Sequence, residues 1–176
     1  MNDYAIILLV YAQVAATLTG FIGVIFVFGE RAHRLGKGQS SALFHFMYAS
    51  LSALFLSLFA AVVLVSSAEE GHVGWQICNF FSGAIHLVGG SRLALETLRH
   101  RTEVLRSAAT SITGLGFALA SFVAAAGFLS REESLIFMLA TLWTLGVSVI
   151  AFISLLLSAS SPVEDADYLS DEIRSA

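Results

Sequence analysis

His72, Gln76, Asn79, Gly83 and His86 recur at intervals of three or four residues. At 100° per residue this spacing gathers them on one arc of a helix and leaves Ile77, Phe81, Ile85 and Val88 on the other side. Two chemistries suit such an arc inside a stretch without charged residues. Polar and ionisable side chains within a membrane can line an ion, proton or ligand path, or they can hydrogen-bond one helix to the next. Interhelical bonding is the first expectation, because only His86 among the deep positions can carry charge and the run itself supplies no acid or base beside it.

Two further side chains invite a chemical reading. His45 lies near one end of a second apolar run at a depth comparable to His86, and a facing histidine pair can hold a haem between helices, which makes an electron carrier a remote alternative. Cys78 is the single cysteine, so the chain has no internal disulfide and no cysteine metal cluster, and its place off the polar arc suggests an inert thiol facing lipid. There is no HExxH, no GxSxG, no nucleotide-binding glycine loop and no paired intramembrane carboxylate. Neither an enzyme nor a resident cofactor or metal is expected.

The elements that must carry these residues follow from composition. Of 176 residues, 57% are hydrophobic and 12% charged, and the mean hydropathy is +0.82, whereas about a quarter of the residues in a soluble domain are charged. Charge-free runs at 4–28, 42–66, 107–129 and 134–158 each match the roughly 20 residues that cross a bilayer core as helix. The stretch 73–90 holding the polar arc is shorter, and as helix reaches about 27 Å. It still suffices to cross.

Charge decides the count. Arg31, Arg34 and Lys37 follow the first run, Arg92, Arg99, Arg101 and Arg106 follow 73–90, and Arg174 lies near the end; Arg131 is the ninth basic residue. If 73–90 crosses, all but Arg131 fall on one side, as the enrichment of Lys and Arg in cytoplasmic loops requires. The expectation is therefore an all-α, polytopic transmembrane bundle of five spans, N-terminus outside and C-terminus inside, in the plasma membrane or the cytoplasmic membrane of a bacterium. Residues 1–158 form this single bundle and 159–176 an acidic, disordered cytoplasmic tail. The first run is too long for a signal-peptide core and lacks a basic flank, so it reads as a retained span. Tyr4 and Trp75 would sit at the outer headgroup level.

Small residues indicate how the spans pack, since helices in lipid associate through close backbone approach. Ala12, Ala16, Gly20 and Gly23 form a small-residue groove on the first span, with Leu8 away from its centre. Ala49, Ala53, Ser57 and Ala61 repeat the pattern on the second, and Thr141, Thr144, Ser148 and Ala151 on the fifth. The fourth span is small on nearly every side, which predicts a central place. Packing within the bundle is the expected use, with homo-oligomer formation as the other. Residues 91–107 have a helical pattern with basic residues and suit a cytoplasmic extension or a helix on anionic headgroups. Glu30 reads as a solvated end charge.

The run VAATLTGFIGVIFVFGER, with the basic loop, second span and tryptophan-led third span behind it, resembles small bacterial multi-span membrane proteins of uncharacterised activity that open with A-T-x-x-G-F-x-G-V. The resemblance covers about the first half of the chain and implies a fold, not an activity. Formal net charge is −4, and the tail alone accounts for it, so nucleic acid has no basic patch to bind. The expected partners are the lipid bilayer and copies of the chain or other membrane proteins. The leading expectation is a non-enzymatic integral membrane module that binds itself or a partner. The alternative is a small oligomeric channel or transport component using the polar arc.

Overall fold

The computed structural model describes residues 3–28, 37–66, 71–99 and 104–160. Five helices account for nearly all of them: α1 (Asp3–Phe28), α2 (Lys37–Ser66), α3 (Gly71–Arg99), α4 (Val104–Ala125) and α5 (Glu133–Ser160). The architecture is all-α. Segments Asp3–Phe21, Leu43–Ser66, Ala108–Ala125 and Glu133–Leu157, on α1, α2, α4 and α5, are long and apolar enough to cross a membrane. The acidic tail, Glu30, Arg31 and Arg34 lie outside the described residues.

Contacts at the two ends show that the helices alternate in direction. The N-terminal turns of α1, α3 and α5 meet, Tyr4 against Trp75 with ring centroids 5.4 Å apart and His72 against Glu133. The C-terminal part of α2 joins them through Leu64, which clusters with Leu8, Leu56, Trp75, Cys78 and Phe137. At the other end His45 of α2 faces Glu96 of α3 at 3.4 Å. Thus α3 lies along the bundle from Trp75 to Glu96, and the segment after Gly90 continues as helix to Arg99.

α5 is the helix that touches all four others, while α4 packs only on α3 and α5. The small residues of α4 do not place it centrally. Ser111, Gly114, Ala118, Ser121 and Ala124 step by three or four and are buried, whereas Ile112, Gly116 and Leu119 face outward. One small face allows one close approach, and α3 occupies it. The hairpin from α4 to α5 begins sooner than the hydropathy predicts, because Gly127 adopts φ +81°. Its amide donates to the Ala124 carbonyl at 2.9 Å and that of Phe128 to Val123 at 3.3 Å, the paired bonds that close a helix around a left-handed residue.

On α1 the packed face is Ala5, Leu8, Ala12 and Ala15, all buried. It is turned by roughly 60° from the expected groove, at 3.6 residues per turn. Ala12 belongs to both arcs, but Ala16 and Gly20 are exposed, and a Cβ on Gly20 would meet nothing within 4 Å. The side of Gly23 lies outside the described side chains. Leu8, expected away from the contact, fills the core instead, clustering with Leu56, Ala60, Ala61 and Leu64 of α2. Cys78 is fully buried in that core and does not face lipid.

Candidate functional site

The polar arc of α3 divides between two neighbours. Gly83 and Gly90 take the α4 side. A Cβ at Gly83 would lie 3.1 Å from the Phe122 ring, and one at Gly90 would lie 3.1 Å from the Leu115 side chain and 3.2 Å from its backbone nitrogen. The Ser111 hydroxyl donates to the Gly90 carbonyl at 2.9 Å. Glycine is used here to let two backbones meet, as the close approach of helices in lipid requires.

The hydrogen-bonding members turn to α5. Asn79, fully buried, donates through Nδ2 to the Glu133 carbonyl at 2.9 Å and to the Trp75 carbonyl of its own helix at 3.0 Å. His86 places Nδ1 2.8 Å from the Ser82 carbonyl. A carbonyl can only accept, and the shorter of two carbonyl contacts favours the proton on Nδ1; Nε2 stands 3.0 Å from the Thr144 hydroxyl and 3.3 Å from the Ala140 carbonyl. That hydroxyl has a competing acceptor in the Ala140 carbonyl at 2.9 Å. Ser82 and Ser121, both buried, face each other across α3 and α4 with Oγ atoms 3.5 Å apart. Thr141, Thr144 and Ser148 of α5 are buried, as their arc suggested, and Ala151 is half-buried. Tyr48 of α2 adds one more tie, its hydroxyl donating to the Ile85 carbonyl at 2.7 Å.

Glu133 is the residue that the sequence reading passed over. It stands at the first position of α5 and is only 2% exposed. Its carboxylate accepts from His72 Nδ1 at 3.2 Å and from Gln76 Nε2 at 3.4 Å. His72 is 75% exposed at its side chain and so joins this buried acid to the outer surface of the bundle. The available signal is adjacency: Glu133 borders an apolar run four residues before Phe137 and eight before Thr141, on the same face, and an acid at a helix N-terminus also meets the positive end of the helix dipole.

Beside Glu133 lies a shallow, wide-mouthed cavity of about 260 Å³ whose lining includes Tyr4, His72, Trp75, Arg131, Glu133 and Ser134. The acid forms part of its wall, the two aromatic rings stand edge to face at an interplanar angle of 85°, and Arg131 contributes the basic group. No Arg131 pairing with Glu133 accompanies the His72 contact among the described residues.

His45 and His86 do not converge. The former is set against Glu96 on α3, and both ring nitrogens of the latter face protein groups. Among the described residues no three His, Cys, Asp or Glu side chains are grouped to hold a metal ion. No protein-family model, no curated protein and no solved structure shows a significant match to this chain.

Proposed function

We propose that the chain is an integral membrane protein of five spans, α3 being the third, with its N-terminus outside and its C-terminus inside. In this reading it is a non-enzymatic module of the cytoplasmic membrane that associates with a second copy or another membrane protein. The partition of basic residues favours this orientation, and the alternating helix directions are those that five consecutive spans would have. The polar arc of α3 is then internal fastening, since its amide and imidazole groups are spent on α5 and its glycines on α4.

The observation that carries association is the open face of α1. Ala16 and Gly20 are one turn apart and exposed, and the space beside Gly20 is empty to 4 Å. Small residues one turn apart let a second helix approach closely in lipid. Stoichiometry measured in native lipid tests this: Gly20→Leu should reduce the protein to single copies, while Val14→Leu on another exposed face should leave assembly intact. Assembly unaffected by Gly20→Leu would refute it.

One observation favours a transport component as a second reading. Asn79 Oδ1, Ser57 Oγ and Ser148 Oγ are buried without a hydrogen-bond partner among the described residues. Buried polar atoms of this kind are ordinarily satisfied, often by water. Ion or proton flux in proteoliposomes that disappears in Ser148→Ala while the fold persists would support that path.

A further inference from the structure

We infer that the cavity between the first turns of α1, α3 and α5 is a binding site for a small zwitterion bearing a primary ammonium and a phosphate, of the aminoethyl phosphate class. The inference adds a ligand to the membrane reading above and rests on it only for the level of the site in the bilayer.

A carboxylate withdrawn from water is costly unless a cation or several donors compensate it. Glu133 is almost wholly buried, and its polar side-chain neighbours are the Gln76 amide at 3.4 Å and an imidazole at 3.2 Å. One neutral amide at the limit of hydrogen-bond length and one weak base leave room for a further donor. The cavity wall supplies the route, because Glu133, His72 and Ser134 line it together.

The walls select the kind of cation. Tyr4 and Trp75, which meet edge to face, line the same space as Glu133, and aromatic rings attract ammonium groups. Arg131 brings a guanidinium to the same cavity, suited to a phosphate oxygen pair. An acid, an aromatic pair and a guanidinium around one small space favour a molecule with both charges over a simple amine or a simple anion. At about 260 Å³ the space falls below the roughly 300 to 1,000 Å³ of drug-sized sites, in keeping with a headgroup-sized ligand. Tyr4 and Trp75 also belong to the residue types that mark the headgroup level of a membrane. The same chemistry therefore has two sources, a phosphatidylethanolamine headgroup or free phosphoethanolamine.

The full chain carrying Trp143→Phe keeps Trp75 as its one tryptophan, whose emission reports on the cavity. Phosphoethanolamine is titrated in detergent, and in a second arm the protein is placed in phosphatidylglycerol vesicles with and without phosphatidylethanolamine. A saturable change in the first arm identifies a site open to the free zwitterion, and a change confined to the second identifies a lipid headgroup. Either supports the site, provided that Glu133→Gln weakens it by about tenfold or more, the scale of a lost hydrogen bond to a charged group. Arg131→Gln, a change at an exposed position, should weaken phosphoethanolamine while leaving ethylamine binding unchanged. No saturable change in either arm, or binding by Glu133→Gln and Arg131→Gln as tight as that of the wild type, would overturn the inference. Labelling of a cysteine at position 131 from each side of the vesicle separates the two claims: binding with label entering only from inside would leave the site standing and remove the orientation.

Discussion

Asn79 of α3 donates to the main-chain carbonyl of Glu133 on α5 at 2.9 Å, in a place from which the solvent is excluded. A side-chain amide thus grips the first turn of another helix at the level where a buried acid enters the bundle. Asn79→Leu removes this bond and the one to Trp75. The expected loss is about 1 to 2 kcal/mol, read as a lower thermal midpoint in detergent, and unchanged stability would show that the amide is dispensable to the contact.

His86 and Thr144 form the second tie between α3 and α5, 3.0 Å apart. Single changes His86→Leu and Thr144→Val should each destabilise by about 1 kcal/mol, and the double change by less than their sum, since they share one bond. Full additivity in the double-mutant cycle would mean that the two side chains act separately, Thr144 through the Ala140 carbonyl alone.

Two glycines on facing helices should respond in opposite ways. A Cβ on Gly90 would press on the Leu115 backbone nitrogen at 3.2 Å, whereas Gly116 has nothing within 4 Å. Gly90→Ala is expected to cost about 1 to 3 kcal/mol through overpacking, and Gly116→Ala to be neutral or to gain up to about 1 kcal/mol from helix propensity. Thermal unfolding of the two variants side by side decides it; a neutral Gly90→Ala would mean that α3 and α4 slide apart at no cost.

Gly127 holds φ +81° where α4 turns into the hairpin. An alanine there carries the left-handed penalty of about 1 to 2 kcal/mol. Gly127→Ala should therefore be less stable than wild type, and the equally sized change Gly146→Ala, with nothing within 4 Å, should not.

Periodicity along one helix made the polar arc of α3 legible, along with the buried rows Ala49, Ala53, Ser57, Ala61 and Thr141, Thr144, Ser148. It could not determine which side of α1 packs inward, because that helix is apolar or small nearly all round and the choice belongs to the shape of its neighbours. On α4 the small row Ser111, Gly114, Ala118, Ser121 and Ala124 is legible, but not that α3 alone would fill most of it. Leu8 packs in a cluster drawn from α2, α3 and α5, a relation absent from its own neighbourhood in the chain. Glu133 escaped notice for a different reason. Its charge placed it outside the apolar run, but the partners that permit its burial, His72 and Gln76, come from more than 50 positions away, as the 61 and 57 residues of separation record.

The account turns on α3 crossing the bilayer with its polar arc inside the bundle. Cysteines placed singly at positions 70 and 98 of the full chain, in a Cys78→Ala background, can be challenged with a membrane-impermeant thiol reagent from each side of sealed vesicles. The five-span arrangement predicts that position 70 reacts only from outside and position 98, where Leu98 is strongly exposed, only from inside. Reaction of both positions from the same side would contradict it.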